Sequence, residues 1–146
     1  MTSICKLAVL SDFQIDYHDK RTLKVVHGFL KEFQPDTLVL NGDIVDMTAL
    51  SHFKLTVKER AGLAEQQAAL RQELFELRNC VPNSHIVYVM GNHEQRLADY
   101  ITNNAPELVS AAPSFSEFAG LNKLGIELVE PYGEGYDWHG VLITHG

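Results

Sequence analysis

Strand-length apolar runs that alternate with amphipathic stretches predict an α/β domain with a largely parallel sheet. Three runs carry the prediction: Ile4 to Leu10, Thr37 to Leu40 and His85 to Met90. Each is nearly continuous in apolar residues, as a strand covered on both faces would be. Each also gives way at once to a polar motif: Ser11-Asp12-Phe13-Gln14, Asn41-Gly42-Asp43-Ile44-Val45-Asp46 and Gly91-Asn92-His93-Glu94. Ligands of open α/β sheets gather beyond the C-terminal strand ends, so the three motifs are expected to meet at one edge.

Between the first two strands, Leu23, Val26, Phe29, Leu30 and Phe33 recur at three-and-four spacing, which predicts a helix from Lys20 to Gln34 that Pro35 ends. The order strand, helix, strand implies a right-handed parallel crossover that brings Asp12 and Asp43 together. A second helix is predicted from about Val57 to Asn79 and bounded by Pro82, with Leu63, Leu70, Leu74 and Leu77 on one side and Glu73, Glu76 and Arg78 mostly elsewhere. The seven-residue spacing of Leu63, Leu70 and Leu77 would suit a partner helix, but Gln66 and Gln67 interrupt it and packing on the chain's own sheet is the favoured reading. A helix from about Glu94 to Ile101 follows the third strand. Pro106, Pro113 and Gly120 punctuate the stretch Asn103 to Leu124, which reads as a surface excursion with short helical pieces and as one wall of a cleft. Ile126 to Val129 is a strand, Tyr132 to Gly140 a glycine-rich turn region, and Val141 to Thr144 a final strand ending at His145.

At 146 residues with 45% hydrophobic content, the chain has enough material for a single cored domain. A net charge of −7 gives no general attraction to nucleic acid, which is neither indicated nor excluded as a partner, since bound cations would neutralise part of that acidity. No apolar run approaches the ~20 residues of a membrane helix. Two cysteines, Cys5 and Cys80, and no signal sequence before Met1-Thr2-Ser3 suggest inert thiols in a reduced, cytoplasmic protein. Nothing in the sequence fixes an oligomeric state.

Carboxylates, an amide and imidazoles, each placed just after an apolar run, are what a two-metal hydrolytic centre needs. These three motifs, with Thr144-His145-Gly146 after the final strand as a fourth, together resemble the calcineurin-like metallophosphoesterases. Gly42-Asp43-Ile44-Val45-Asp46 matches that family's GDxxD, and Gly91-Asn92-His93-Glu94 matches its GNHE. The resemblance implies layered β-sheets flanked by helices, two divalent cations, and hydrolysis of a phosphomonoester or phosphodiester by metal-bound hydroxide. A carboxylate between two cations neutralises their repulsion, and Asp43 is the choice for that bridge. The resemblance further implies that Asp12 binds the first metal, that Asn92 and His145 bind the second, and that His93 acts on the leaving group while Asp46 orients it. Arg96, one turn beyond His93, and His52, in the loop after the second motif, are weaker candidates for substrate contact. Glu94 at the start of a helix is accounted for by the helix dipole and is given no chemistry.

Two departures qualify the resemblance. Gln14 stands where the family has a first-metal histidine, which favours Mn²⁺, with Mg²⁺, iron or Zn²⁺ as alternatives, or leaves the first site weak or empty. His18 is the nearest substitute imidazole. The family's final Gly-His-x-His is absent after Thr144-His145-Gly146, and His27, His85 and His139 lack that spacing, so the single domain is expected to be incomplete at its C-terminus and its second-metal side the better preserved. The readings left open are an enzyme, including a nuclease or DNA-repair enzyme, and a non-catalytic protein-binding module with degenerate metal sites.

Overall fold

A computed structural model describes residues 4–146. Strands β1 (Leu7–Leu10), β2 (Thr37–Asn41), β3 (His85–Val89) and β4 (Ile126–Val129) form one parallel sheet in that order. Leu7 pairs with Thr37, Thr37 with His85 and Ile86 with Ile126, so the strands start level and finish level. The loops that leave β1, β2 and β3 therefore emerge side by side, as the motif positions predict.

Alternate residues of the strands feed two apolar layers. Leu38, Leu40, Ile86 and Tyr88 face the main core with Leu30 of α1 (Lys20–Phe33), Leu70, Leu74 and Leu77 of a long helix, and Leu97 of the helix after β3. Val39, Val87 and Val89 face the other way, where Tyr136 and Ile143 of an antiparallel hairpin cover them. The hairpin strands are β5 (Tyr136–Trp138) and β6 (Val141–Ile143), joined through His139 and Gly140, both at positive φ. Sequence reading found β6 but placed Tyr136–Trp138 in a turn, because three residues beside glycines carry no alternation. Also, β1 is an edge strand and not one buried on both faces: Val9 is 44% exposed, and Ile4 lies outside the strand.

The helices follow local signals. Asp19 caps α1 by accepting from the amides of Arg21 and Thr22, and Gln34 closes it in the left-handed region. The single helix predicted for residues 57–79 is two, α2 (Val57–Ala61) and α3 (Leu63–Cys80), divided at Gly62. A Thr56/Glu59 capping box starts α2, a pattern that the leucine spacing hides. α4 spans Asn92–Asn104 and so begins two residues earlier than predicted. The supposed surface excursion contains α5 (Phe115–Ala119), whose Phe115 and Phe118 are buried, Phe115 meeting Tyr88 edge-on at 5.3 Å. Proline punctuation marks the turns on either side of α5, not exposure of the segment.

Arg78 is another correction. Assigned to the solvent side of its helix, it donates to the carbonyls of Leu124, Ser84 and Gly125 at 2.9, 2.7 and 3.0 Å, which clamps the end of α3 to the loops that precede β3 and β4. Arg78→Met keeps the apolar stem and removes the fork, so it is expected to lower stability by about 2 kcal/mol, the scale of partly buried carbonyls left without donors. Urea unfolding with an unchanged slope is the measurement.

Candidate metal centre

Two loops cross beyond the strand ends. The amide of Asp12 donates to the Gly42 carbonyl at 3.1 Å, Gln14 to Asp43 at 3.0 Å and Ile15 to Ile44 at 2.9 Å, while Asp46 returns a bond to Ile15 at 2.7 Å. The first two motifs are thereby zipped together, with Ile15 and Val45 fully buried. Asp12, Gln14, Asp43 and Met47 all adopt positive φ, between 52 and 57°. Non-glycine residues seldom occupy that region, and clusters of them mark sites where the surroundings dictate the backbone.

A buried carboxylate supplies that constraint. Glu94 is 1% exposed and accepts from the amides of Asp43 (3.0 Å), Ile44 (2.8 Å), Val45 (3.3 Å) and Gly91 (2.9 Å) and from the Tyr88 hydroxyl (2.7 Å). Burial pushes its pKa above the ordinary carboxylate value, whereas Tyr88 and the backbone donors pull it down. Four of the five donors are backbone N–H groups, which cannot accept, so the surroundings favour the carboxylate form against the cost of burial. Burial also holds the Tyr88 hydroxyl well above its usual pKa, reinforced by the charge of Glu94, which keeps Tyr88 a donor. Glycine is required twice here. A Cβ on Gly91 would run into the amide and carboxylate of Asp43, and one on Gly42, at φ 71°, into the ring of His145.

Asp43 lies at the centre, 6% exposed. Its Oδ1 accepts from the His93 amide at 3.1 Å and lies 3.3 Å from Nε2 of His145; its Oδ2 lies 3.4 Å from the Gln14 amide nitrogen and 3.6 Å from Nε2 of His93. Asp12, Asp43 and His145 present ligand-type atoms within 4.8 Å of one another. His145 is oriented by its Nδ1, 2.8 Å from the Asn41 carbonyl, and Asn41 in turn donates to the Thr144 carbonyl at 3.0 Å. A ligating imidazole is ordinarily held in this way through its other nitrogen.

His93 is fixed on its far side. Its Nδ1 sits 2.9 Å from the Asp46 carbonyl and 3.3 Å from the Asp46 carboxylate, and Thr48 donates to that carboxylate. Arg96 donates to the Asp46 carbonyl at 2.8 Å and to Nε2 of His93 at 3.1 Å. A guanidinium only donates, so Nε2 accepts here and the ring proton is on Nδ1.

The remaining candidates fall at varying distance from this group. Asn92 is exposed at the first position of α4, beside His93, with no hydrogen bond to its side chain among the described residues. Gln14 turns its amide nitrogen, not its carbonyl, toward Asp43. His52 stacks on Phe53 and shares a cavity of 540 Å³ with Arg96, Asp99 and Tyr100. His18 is not brought to the cluster: it lines a separate cavity against α1 and α3, because the chain turns away after Ile15 to begin α1. Sequence reading missed Glu94, since a glutamate three residues after a helix N-cap is explained equally well by the cap, and Gly91 to Glu94 does form one.

The donor set suits divalent cations. Two aspartates and an imidazole converge around a nearly buried Asp43 that no lysine or arginine among the described residues pairs. The profile of the calcineurin-like phosphoesterases matches residues 5–145. The Gene 54 protein of Mycobacterium phage L5 is 33% identical over 148 residues, covering 97% of this chain and 56% of the relative, and the Gene 54 protein of Mycobacterium phage D29 is 33% identical over 113 residues, covering 75% and 44%. The chain thus spans about half the length of these curated relatives. No solved structure matches. Layered geometry, crossed motif loops and profile agree, and the chain belongs to the calcineurin-like phosphoesterase family.

Proposed function

We propose that this chain acts as a metal-dependent phosphoesterase on a phosphomonoester or phosphodiester, with Asp12, Asp43 and His145 as ligands, Asn92 completing the set, and His93 as proton donor. The observation that carries the reading is the joint placement of a three-ligand cluster and a carboxylate-anchored histidine on one strand edge, with Asp43 in reach of both. Two divalent cations, best matched by Mn²⁺ and alternatively Mg²⁺, iron or Zn²⁺, would neutralise charge on the phosphoryl group and lower the pKa of an attacking water. Asp43 sits between the two histidines as the shared ligand. Asp46 holds Nδ1 of His93 and so aims Nε2 at the space beside Asp43.

Arg96 then has two partners at different stages. It caps Nε2 of His93 as the site stands, and an arriving phosphate oxygen offers its fork a charged acceptor in place of a neutral one. Moving to that oxygen uncovers Nε2, which can then take up a proton from solvent and pass it to the departing oxygen. The cavity bounded by His52, Arg96 and Tyr100 adjoins this position and receives the organic part of the substrate. The net charge of −7 weighs against tight duplex binding, so a small phosphate ester is preferred over a nuclease substrate.

Asp43→Asn is expected to abolish Mn²⁺-dependent hydrolysis of an aryl phosphodiester and to weaken Mn²⁺ binding at least about tenfold. Unchanged Mn²⁺ affinity would remove the centre from this edge. His93→Ala should keep its metal while kcat drops by about 10²- to 10⁴-fold; metal lost together with activity would instead move His93 among the ligands. Glu94→Gln turns an amide N–H toward backbone donors, which is expected to cost about 3 kcal/mol in urea unfolding. Its Mn²⁺ affinity should also decline although Glu94 approaches no ion, and an affinity equal to wild type would show that Glu94 does not position Asp43.

A further inference from the structure

Glu73 faces inward. It lies next to Leu74 on α3, is 8% exposed, and its carboxylate has a single hydrogen-bonding partner among the described residues, Nε2 of His27 at 2.6 Å. His27 occupies the stripe of α1 that also carries Leu23 and Leu30, so imidazole and carboxylate meet where the two helices pack. Glu76, one turn further along α3, brings a second carboxylate within 3.8 Å of Nδ1 of the same ring. An imidazole has at most one positive charge to set against these two negative ones. No lysine or arginine among the described residues ion-pairs with either glutamate, although Lys20 and Lys24 border the same cavity.

One nitrogen of His27 and one oxygen each from Glu73 and Glu76 lie within 4.8 Å of one another. A second observation points to a ligand at the same place. The cavity beside the cluster, of 700 Å³, is also lined by His18, whose Nδ1 is buried and has no hydrogen-bonding partner. Buried acidic groups are ordinarily paired or bound to a cation, and the orphaned imidazole nitrogen on the wall of the same cavity is a further donor of the right kind.

We propose that His27, Glu73 and Glu76 bind a single Zn²⁺ ion that ties α1 to α3, at a site separate from the strand-edge centre and independent of its activity. Imidazole with two carboxylates is a borderline donor set that suits Zn²⁺ and leaves a fourth position for water or His18. Ligand atoms on a tetrahedral ion stand roughly 3.4 Å apart. With Nε2 of His27 as the ligand, its 2.6 Å contact with Glu73 opens slightly, and the half-exposed Glu76, now 3.8 Å from Nδ1, swings round to the Nε2 side of the ring.

The test uses the Asp43→Asn protein, in which the strand-edge centre is disabled, with Zn²⁺ alone as the probe in equilibrium dialysis and thermal unfolding. This protein should retain one Zn²⁺ per chain and unfold at a higher temperature when Zn²⁺ is added. Adding His27→Ala should remove the bound ion and the thermal shift; adding Glu76→Gln, a change at a half-exposed position that leaves the core intact, should weaken binding at least about tenfold. If His27→Ala does not fold, Glu76→Gln decides. Loss of all Zn²⁺ binding in Asp43→Asn itself, or equal affinity with and without Glu76→Gln, overturns the proposal.

Discussion

The buried charge of Glu94 is the constraint on which the rest of the site depends. A carboxylate at 1% exposure is tolerable only because five donors surround it, and four of those are backbone amides from two separate motifs. The three amides of Asp43, Ile44 and Val45 can converge on one carboxylate only if the chain curls after Gly42, and that curl sets Asp43 at φ 52°. Gly91 must then lack a side chain, because Asp43 and Glu94 already fill the space beside it. His93, on the same helical turn as Glu94, has its amide held by Asp43. Asp43, His93 and Glu94 are therefore joined in one hydrogen-bonded unit, which holds the proposed ligand and the proposed proton donor in fixed register.

That unit concentrates negative charge at the strand edge. Asp12, Asp43, Asp46 and Glu94 all lie on the crossed loops or the turn of α4 that meets them, and Arg96 is the permanent cation in contact, spending its bonds on the Asp46 carbonyl and on His93. The Glu94 charge is fully matched by donors, but that of Asp43 is met, among the described residues, only by the Gln14 side-chain amide and the His93 backbone N–H, while both imidazoles turn Nε2 toward it with Nδ1 held by a carbonyl. The contrast fits a structural role for Glu94 and the ligand role proposed for Asp43.

Much of this was legible in the sequence for one reason: strands buried in a parallel sheet must be apolar throughout, so the motifs that follow them stand out. Their shared edge follows from topology, without any knowledge of side-chain contacts. What stayed hidden were pairings between charged residues and distant partners. Arg78, Glu73 and Glu94 occupy positions where helical spacing alone assigns them to solvent or to a cap, yet Arg78 grips three carbonyls, Glu73 meets His27 and Glu94 gathers a loop from another strand. A single residue letter carries no record of such a partner. Phe115 and Phe118 were missed differently: a short helical piece was expected from Ser114 to Phe118 and is present, opened by a Ser114/Glu117 capping box, but the proline and glycine spacing around it was read as exposure.

The strand edge is held from the helical layer as well as from β3. Gln66, 4% exposed on α3, donates to the carboxylate of Asp16 at 3.1 Å, and Asp16 directly follows the Ile15 that zips the first motif to the second. Glu94 fixes the second loop from one side, and Gln66 fixes the first from the other. Gln14 lies between these two anchors at φ 54°, so its placement is dictated by the backbone and not by what its side chain finds. The departure from the family's histidine at this position therefore changes donor chemistry while leaving the geometry in place.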